Sequence, residues 1–375
     1  MADVAVIFGG PSPEHDVSVL TGLQAAHELR REGRRTRALY WTKSGEWFEV
    51  DPDLEAAAFV DGVPSGATPL RLALGRDGGF LVEGGRFARA RALELEAAVV
   101  CCHGGPGEDG TLQAALDLAG LRYTGPSVAG AAIGMDKLAF CAVMAAAGLP
   151  TLPRLALDED TESVPFDGPY IVKPRFGGSS IGIEVVADLP SARHLLAASQ
   201  HLRSGAVVEP FRQGWFDLQV GVRTHPGLEL SAVERPLRSA RPAPGGSAPE
   251  ILGYADKYVG GEGMASAPRE LPARIPERLE QALREAAVRV AGLASVRGVA
   301  RVDFLSDGTS IVVNEVNTIP GSLARYLWID PPVGFATLLS DLLAEAAAQP
   351  THRYSAAGAD GTVLRGASSI AAKLA

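Results

Sequence analysis

The chain has 375 residues, a length that predicts two or three domains with cores of their own. Its formal net charge of −9 argues against nucleic acid as the main partner, so an anionic ligand would need a local cluster of Lys and Arg. No apolar run approaches the length of a membrane span and no signal-peptide pattern opens the chain, so we expect a cytoplasmic protein without a membrane partner.

The first third of the sequence has the pattern of an open α/β domain. Residues 4–8 predict a strand, and residues 17–26 predict a helix with Asp16 as its N-cap. Residues 97–102 predict another strand, which is followed by a glycine-rich loop and a helix from about Thr111.

Ligands of such sheets bind where strands end and loops begin, which makes Glu14 and His103 candidate site residues. The two adjacent glycines Gly9 and Gly10 are not part of a GxGxxG fingerprint, so a dinucleotide-binding site is disfavoured. The three cysteines lack the spacing of a disulfide framework or a metal site and are expected to be buried thiols: Cys101, Cys102 and Cys141.

A second unit begins near Gly125. Residues 135–147 predict a helix, and residues 170–174 predict a buried strand that leads into a glycine- and serine-rich turn at 175–182. A turn of this kind can expose consecutive backbone N–H groups to a phosphate, and Lys173 just before it strengthens that interpretation. The alternative is a plain flexible hairpin tip.

The last unit combines a long irregular stretch with a clear helix. Residues 235–268 are rich in Gly and Pro, and a loop of this length within a compact domain predicts a lid. Residues 276–296 predict an amphipathic helix. Its apolar face is formed by Leu279, Leu283, Ala286, Ala287 and Val290. The tail beyond residue 350 suggests no function.

A predicted hairpin in the same unit is the most informative feature. Residues 298–304 and 310–317 predict two strands, and 306–308 predict a three-residue loop between them. In a hairpin with a three-residue loop, the residues that lie opposite each other have numbers that add up to an even total. One face of the hairpin is therefore expected to carry Arg301, Asp303, Glu315 and Asn317.

Two carboxylates, an amide oxygen and a guanidinium on one face suit divalent cations and a phosphate. The alternative is a solvated charged face, because Val302, Phe304 and Val316 could by themselves supply the buried side of the hairpin.

Eight motifs occur in one order along the chain: FGGPSPEHDVS at 8–18, HGGPGEDGTLQ at 103–113, YTG at 123–125, MDK at 135–137, VKPRFGGSSIG at 172–182, DKY at 256–258, RVDF at 301–304 and NEVNTIPG at 314–321. Through them the sequence resembles the D-alanine–D-alanine ligases of the ATP-grasp superfamily. The resemblance implies an α/β, three-domain ATP-grasp fold with an N-terminal open α/β (Rossmann-like) domain.

The implied domains are an N-terminal substrate-binding domain at 1–125, a central ATP-grasp domain at 126–209 and a C-terminal ATP-grasp domain at 210–350. The last carries the lid and the metal site. Residues 351–375 form a tail of unknown role.

The resemblance also implies a reaction. Members of the family transfer the γ-phosphate of ATP to the carboxylate of a first D-alanine, and the amine of a second then attacks the acylphosphate. The product, D-alanyl-D-alanine, serves peptidoglycan synthesis. Phosphate passing between anions requires charge neutralisation, which two Mg²⁺ ions, or Mn²⁺, would supply together with basic side chains.

The family pattern gives each motif residue an expected role. The metal ligands would be Asp303, Glu315 and Asn317, and Arg301 would stabilise the acylphosphate. ATP would be bound by Lys137, Lys173, Ser180, Glu209, Phe211, Asp217 and Lys257. A hydrogen-bonded triad would consist of Glu14, Ser179 and Tyr258. Tyr258 favours an amine over a hydroxyl as the nucleophile, because the ligases that use D-lactate depart from tyrosine there.

The acceptor segment departs from the family pattern. His103 and Gly321 are expected at the substrate, but Tyr326 occupies the position where a serine usually contacts the carboxylate of the second substrate. Ser322 or Arg325 could replace that serine. The acceptor could therefore be D-alanine, D-serine, another D-amino acid, D-lactate or a larger molecule.

The other expected partners are small molecules, and the resemblance suggests a homodimer formed through the first unit. Two functions from other classes are disfavoured. A nucleotide-binding module without ligase activity would not need Arg301 together with two metal carboxylates, and a nicotinamide dehydrogenase would need the absent glycine fingerprint.

Overall fold

Three β-sheets, each backed by its own hydrophobic core, organise the chain. The computed structural model describes residues 3–75, 78–83, 90–237, 268–350, 356–367 and 369–374. No helix within those ranges is both long and apolar enough to traverse a bilayer. All three cysteines are buried free thiols, as predicted.

The first sheet has seven strands in the order β6-β5-β4-β3-β2-β1-β7. Only β2, β1 and β7 are parallel, because the chain continues from β2 as an antiparallel meander to the sheet edge. The strands are β1 (Asp3–Gly9), β2 (Thr36–Trp41), β3 (Trp47–Val50), β4 (Thr68–Ala73), β5 (Gly79–Val82), β6 (Arg91–Ala92) and β7 (Leu95–Val100). The helices of this unit are α1 (His15–Arg31), α2 (Gly105–Glu108) and α3 (Thr111–Leu118), and a 3₁₀ turn spans Ala56–Phe59.

The predicted N-cap of α1 is wrong. The helix begins at His15 and its cap position is Glu14, whose side chain makes no capping hydrogen bond. The Glu14 carboxylate instead accepts a hydrogen bond from the Ser179 hydroxyl, so a group that could close the helix is used between two units. The predicted loop after β7 also contains one helical turn, α2.

The second sheet has four antiparallel strands in the order β10-β9-β11-β8. They are β8 (Leu155–Leu157), β9 (Tyr170–Pro174), β10 (Glu184–Val186) and β11 (Ala206–Pro210), with helices α4 (Val128–Met135), α5 (Lys137–Ala146) and α6 (Leu189–Ala198) and a 3₁₀ turn at Gln200–Leu202. Asp136 caps α5, because its carboxylate accepts hydrogen bonds from the backbone N–H groups of Leu138 and Ala139.

The third sheet has five antiparallel strands in the order β14-β13-β12-β15-β16. They are β12 (Phe216–Arg223), β13 (Glu229–Pro236), β14 (Arg269–Glu270), β15 (Val299–Ser306) and β16 (Ile311–Asn317). The predicted amphipathic helix is α7 (Glu277–Leu293), and all five residues of its expected apolar face are buried. They pack on the sheet face that carries Val220, Val302 and Phe304.

The chain returns to its first unit after β16. A 3₁₀ segment at Gly321–Leu327 leads to α8 (Phe335–Ala348), and the short helices α9 (Thr362–Arg365) and α10 (Ile370–Leu374) follow. The buried leucines of α8 belong to the core of the first sheet rather than to the core of the third.

The β15–β16 hairpin places the predicted side chains on one face, but its loop differs from the predicted one. Ser306 pairs with Ile311, so the loop has four residues instead of three. Asp307 holds this loop by accepting bonds from the N–H and hydroxyl groups of Thr309 and Ser310, which also lower the Asp307 pKa. Without correction, this register would place Asp303 opposite residue 314.

A β-bulge restores the register. Phe304 pairs with Val313 but Asp303 pairs with Glu315, which leaves Asn314 as the extra residue of β16. Arg301 then pairs with Asn317. The four predicted side chains therefore share one face because of the bulge, and the three-residue loop proposed as their cause is wrong.

Two helical glycines allow a test of packing in this fold. A Cβ on Gly22 in α1 would clash with the Cβ and Cγ of Phe8, whereas a Cβ on Gly292 in α7 would meet nothing within 4 Å. Gly292→Ala should raise the free energy of unfolding by about 0.5–1 kcal/mol through helix propensity. Gly22→Ala gains the same propensity but overpacks the core, which costs about 1–3 kcal/mol.

Urea unfolding of the two variants measures the difference directly. We expect Gly22→Ala to be the less stable protein and Gly292→Ala to be more stable than the wild type. Equal unfolding midpoints for the two variants would show that α1 does not press on β1 as described.

Candidate active site

The polar face of the third sheet is buried. Arg301 is 5% exposed and Asp303 is 3% exposed, which rules out the alternative of a solvated charged face. The Arg301 guanidinium donates from Nε and Nη2 to the two Asp303 carboxylate oxygens, at 2.7 Å each. Gln219 and Asn317 donate their amide N–H groups to Asp303 Oδ2 at 3.3 and 3.1 Å. This carboxylate is therefore held in place by three side chains.

Glu315 lies beside this pair and faces a lysine. The distance from Lys137 Nζ to Glu315 Oε2 is 3.7 Å, and Lys137 also donates to the backbone oxygen of Gly177 in the glycine-rich turn. The two predicted carboxylates, Asp303 and Glu315, occupy directly opposite positions of the hairpin.

The side-chain oxygen atoms on this face could supply only some of the ligands that a hard divalent cation needs. Among the residues that the structure describes, no cluster of three or more His, Cys, Asp or Glu could hold a metal ion. Asp303, Glu315 and the amide of Asn317 would supply oxygen ligands on one side, and the remaining ligands would have to come from water or phosphate. Mg²⁺ is bound in that manner at phosphate-transfer sites.

A second charged group lies behind the glycine-rich turn. Glu209 is fully buried and pairs with two cations, Lys173 and Arg154, the latter at 2.8 Å from Nε to Oε2. Burial disfavours the ionised form of Glu209, but Arg154 and Lys173 outweigh it and lower the Glu209 pKa. Burial and Arg154 lower the pKa of Lys173.

The bulge residue joins these cations. Asn314 Oδ1 accepts hydrogen bonds from Arg154 Nη2 at 3.2 Å and from Lys173 Nζ at 3.5 Å. Arg154 was not singled out in the sequence. A lone arginine between a proline and an apolar strand carries no motif, and only the fold brings it to Glu209 and Asn314.

A cleft opens between the second and third sheets. Residues predicted to bind ATP line it together with the two carboxylates of the hairpin: Lys173, Ser180, Glu209, Phe211, Asp217, Asp303 and Glu315. Lys137 lines an adjoining recess with Ser180 and Glu315. The structure thus brings six of the seven predicted ATP residues to one region. The seventh, Lys257, lies outside the described residues, as do Tyr258 and nearly all of the predicted lid.

The glycine-rich turn meets the first unit at Glu14. Ser179 and Ser180 have φ values of 50° and 58°, a left-handed conformation that is uncommon for residues with a side chain. The Ser179 hydroxyl donates to Glu14, which is 8% exposed. A Cβ on Gly178 would lie 2.7 Å from Glu14 Oε2, so this close approach requires glycine.

His103 connects the first unit to the end of β16. Its Nδ1 lies 2.7 Å from the Ile319 carbonyl oxygen, which can only accept, so Nδ1 carries the hydrogen. Nε2 then accepts from the Thr21 hydroxyl at 2.8 Å, and Thr21 Oγ1 accepts from the Ser322 N–H at 3.0 Å. Both nitrogens of this predicted substrate residue are therefore bonded to protein groups, and Thr21 was not foreseen.

Gly321 begins an unusual segment. Ser322, Leu323 and Ala324 have φ values of 51°, 49° and 51°, so three consecutive residues are left-handed. Each costs roughly 1–2 kcal/mol relative to a right-handed conformation. Burial of Leu323 and Ala324 and the bond from Ser322 to Thr21 hold the segment. Arg325 lies beyond it, with its guanidinium 5.6 Å from the centroid of the Phe335 ring.

Glu108 also holds this junction. Its carboxylate accepts hydrogen bonds from the backbone N–H groups of Gly104 and Ile319, each at 2.9 Å, and from the Thr318 hydroxyl at 3.3 Å. Burial and the nearby Glu14 raise the pKa of Glu108 to about 7. Burial lowers the pKa of His103 to about 4.

The pKa shifts of His103 and Glu108 have opposite effects on the free energy of unfolding as the pH falls. The unfolded chain takes up the His103 proton first as the pH falls from 6.5 to 4, so that residue destabilises the fold. The folded chain takes up the Glu108 proton first as the pH falls from 7 to 4.5, so that residue stabilises it. Their contributions should nearly cancel where the two windows overlap.

Glu108→Gln should remove the stabilisation that protonation of Glu108 gives the folded chain in acid. When the pH falls from 6.5 to 4.5, the free energy of unfolding of the variant should decrease by roughly 2–3 kcal/mol relative to that of the wild type. Urea unfolding at both pH values provides the measurement. Glu55→Gln, at an exposed position, is the matched control and should follow the wild type. Parallel behaviour of all three proteins would contradict the opposing shifts.

Comparison with known families identifies both halves of the chain. Residues 3–126 match the family described as D-ala D-ala ligase N-terminus, and residues 131–344 match D-ala D-ala ligase C-terminus. A D-alanine–D-alanine ligase from Nocardia farcinica is 31% identical over 363 residues, covering 93% of this chain and 98% of the relative. One from Chlorobium limicola is 32% identical over 376 residues, covering 92% and 97%.

Solved structures agree with these sequence matches. The chain is similar to the D-alanine–D-alanine ligase from Helicobacter pylori with a TM-score of 0.70 at 23% identity, over 91% of this chain and 99% of that one. It is similar to the VanG D-Ala:D-Ser ligase from Enterococcus faecalis with a TM-score of 0.73 at 25% identity, over 92% and 99%. The predicted fold class is thereby confirmed.

Proposed function

The chain belongs to the D-alanine–D-alanine ligase family, and we propose that it joins two D-alanine molecules at the expense of ATP. The observation that carries this proposal is the buried polar face of the β15–β16 hairpin, where it closes the cleft between the second and third sheets. A guanidinium, two carboxylates and an amide converge there with two lysines, a combination that phosphoryl transfer requires.

The nucleotide would occupy the cleft between the sheets. Phe211 and the backbone at the end of β11 would contact the base, and Asp217 would accept hydrogen bonds from the ribose hydroxyls. Lys137, Lys173 and the left-handed turn at Ser179 and Ser180 would face the phosphates, because a turn of this shape directs N–H groups to an anion. Lys257 would add to this set from the segment beyond the described residues.

Asp303, Glu315 and Asn317 would hold Mg²⁺, which neutralises phosphate charge during transfer when it is bound. The first D-alanine would lie between Glu14 and Arg301. Glu14 would accept from its ammonium group, while Arg301 would stabilise the negative charge on the phosphorylated carboxylate and on the tetrahedral intermediate. The Arg301–Asp303 pair fixes the guanidinium before substrate binds, so the stabilising charge needs little reorganisation.

The second substrate would enter beside the left-handed segment at Gly321, where Ser322 and Arg325 are the proposed contacts. Joining two D-alanines serves peptidoglycan synthesis, and we infer a cytoplasmic homodimer that uses ATP and two Mg²⁺ ions. D-serine is a second candidate acceptor, favoured by the similarity to the D-Ala:D-Ser ligase. D-lactate is a third and is disfavoured by Tyr258.

One screen decides between these acceptors and the absence of ligase activity. The purified protein is incubated with ATP, Mg²⁺ and a panel of D-amino acids, L-amino acids and D-hydroxy acids, and both ADP and the condensed product are measured. We expect D-alanyl-D-alanine as the main product. ADP release without any condensed product would contradict the proposed ligase reaction.

Glu315→Gln tests the metal assignment. The change removes one charge while preserving the shape, and the Glu315 side chain is 21% exposed and lies 3.7 Å from Lys137 Nζ. Turnover should fall by about a hundred- to a thousandfold, since such electrostatic contributions reach roughly 3–4 kcal/mol. Asp303→Asn should also inactivate, but it removes the negative charge that pairs with buried Arg301 and should destabilise the fold as well.

Glu280 on α7, whose side chain is 38% exposed, pairs with Arg284, and Glu280→Gln is the control that should retain full activity. Turnover is measured at saturating Mg²⁺, with urea unfolding of each variant alongside. Near wild-type turnover of Glu315→Gln would show that Glu315 does not hold the metal.

Arg325→Ala and Ser322→Ala test the acceptor contacts. A charge-assisted hydrogen bond to a buried carboxylate contributes roughly 1.5–3 kcal/mol, so loss of the true contact should raise the KM for the second substrate by about ten- to a hundredfold. The KM for ATP and the trapping of the acylphosphate should change little. An effect of Ser322→Ala alone would assign the contact to Ser322. No effect of either variant would exclude both residues.

A further inference from the structure

A row of four polar side chains crosses the third sheet. Glu315 pairs with Asp303, Asp303 pairs with Gln219 on β12, and Gln219 pairs with Glu234 on β13. Residues directly opposite each other in antiparallel strands lie on the same sheet face. The two members on β12 and β13, Gln219 and Glu234, were not foreseen in the sequence, because nothing local indicates that these strands align in this register.

Two oxygen atoms in this row lack a hydrogen-bond partner within the described part of the chain. They are Gln219 Oε1 and Glu234 Oε2, and their residues are 1% and 2% exposed. The orientation of the Gln219 amide is fixed, because its Nε2 donates to Asp303 Oδ2 and the reverse arrangement would place two acceptors together. A buried acceptor without a donor costs free energy, so a pair on adjacent strands indicates a missing donor group.

The charges around the pair are balanced. Glu234 Oε1 lies 2.9 Å from Arg269 Nη1, and Arg301 pairs with Asp303 one strand further on. Burial raises the pKa of Glu234 to about 6, with Arg269 and Arg301 opposing the rise and Asp303 adding to it, so the carboxylate is ionised at neutral pH. Two carboxylates and two guanidinium groups match a zwitterion better than they match an ion of either sign.

An ammonium group fits the two open acceptors, because it carries three N–H donors on one compact centre. The carboxylate of the same molecule would be bound by Ser322 or Arg325, which belong to the same segment as Tyr326. Arg269 stacks on the Tyr326 ring at 4.5 Å, and the Tyr326 hydroxyl is close enough to Glu234 and Arg301 for both to affect its pKa, which burial raises.

We propose that Gln219 Oε1 and Glu234 Oε2 bind the ammonium group of the amino acid that accepts the acyl group. The inference rests on the proposed ligase function and adds a specificity determinant to it. Glu234 on β13 and Asp303 on β15 are separated by one strand, β12, so their backbones lie about 10 Å apart. An amino acid bound over Gln219 on β12 would therefore lie between Glu234 and the phosphoryl-transfer residues.

This arrangement selects amino acids over hydroxy acids. A buried carboxylate gains more from a cationic ammonium than from a neutral hydroxyl, because hydrogen bonds between charged groups are about twice as strong. The selection operates when the acceptor binds, before any bond is made.

Glu234→Gln tests the proposal, because it keeps the shape and removes the charge. The KM for D-alanine at the second site should rise about ten- to a hundredfold. Two quantities should stay within about twofold of the wild type: the KM for ATP and the rate at which hydroxylamine traps the acylphosphate of the first D-alanine. With D-lactate as the alternative acceptor, the preference for D-alanine should shrink by a similar factor. Glu229→Gln on the same strand, where Glu229 pairs with Arg223, is the matched control and should not alter these values.

The outcomes separate the two hypotheses. If the wild type forms no dipeptide from D-amino acids, the proposed function and this inference both fail. If the wild type is active and Glu234→Gln has an unchanged second-site KM, or loses acylphosphate formation equally, only the inference is overturned. Should Glu234→Gln fail to fold, Glu234→Asp keeps the charge but shortens the side chain. That variant should raise the same KM at least severalfold, and an unchanged value would again overturn the inference.

Discussion

The β-bulge at Asn314 determines which face of the third sheet carries the proposed catalytic and metal-binding residues. Side chains alternate along a strand, so a shift of one residue would send Glu315 and Asn317 into the apolar layer against α7 and bring Val316 to the cleft. The extra residue prevents this and is itself used, since its amide accepts from Arg154 and Lys173. The same residue thus sets the register of one carboxylate pair and contacts the cations that hold Glu209.

Contacts among the three units complete the candidate site. Glu14 from the first unit reaches Ser179 in the second, while Glu108 and His103 hold the chain just after β16 through Ile319. These groups are buried and fully engaged, so their cost of desolvation is offset by hydrogen bonds rather than by water. The left-handed segment that follows Gly321 is held by the same junction, because its first N–H bonds to Thr21 on α1.

Much of this arrangement could be predicted from local sequence. The amphipathic pattern at 276–296 identified α7, and the alternation in β15 and β16 identified the polar face. Errors arose where a side chain serves a distant partner. Glu14 occupies the cap position of α1 but bonds to another unit, and the hairpin loop has four residues because Asp307 folds it. Gln219, Glu234 and Arg154 depend on strand register and long-range contacts that no local pattern contains.

The position of α8 affects the order in which the protein can fold during synthesis. Its buried leucines complete the core of the first sheet, although the ribosome makes that helix more than 230 residues after β7. Domains usually fold as units in N-terminal order during translation, but this first unit must wait with part of its apolar surface uncovered. A nascent chain stalled before α8 would present that surface to chaperones, and cutting the gene at the predicted boundary near residue 125 would leave the first unit without one wall of its core.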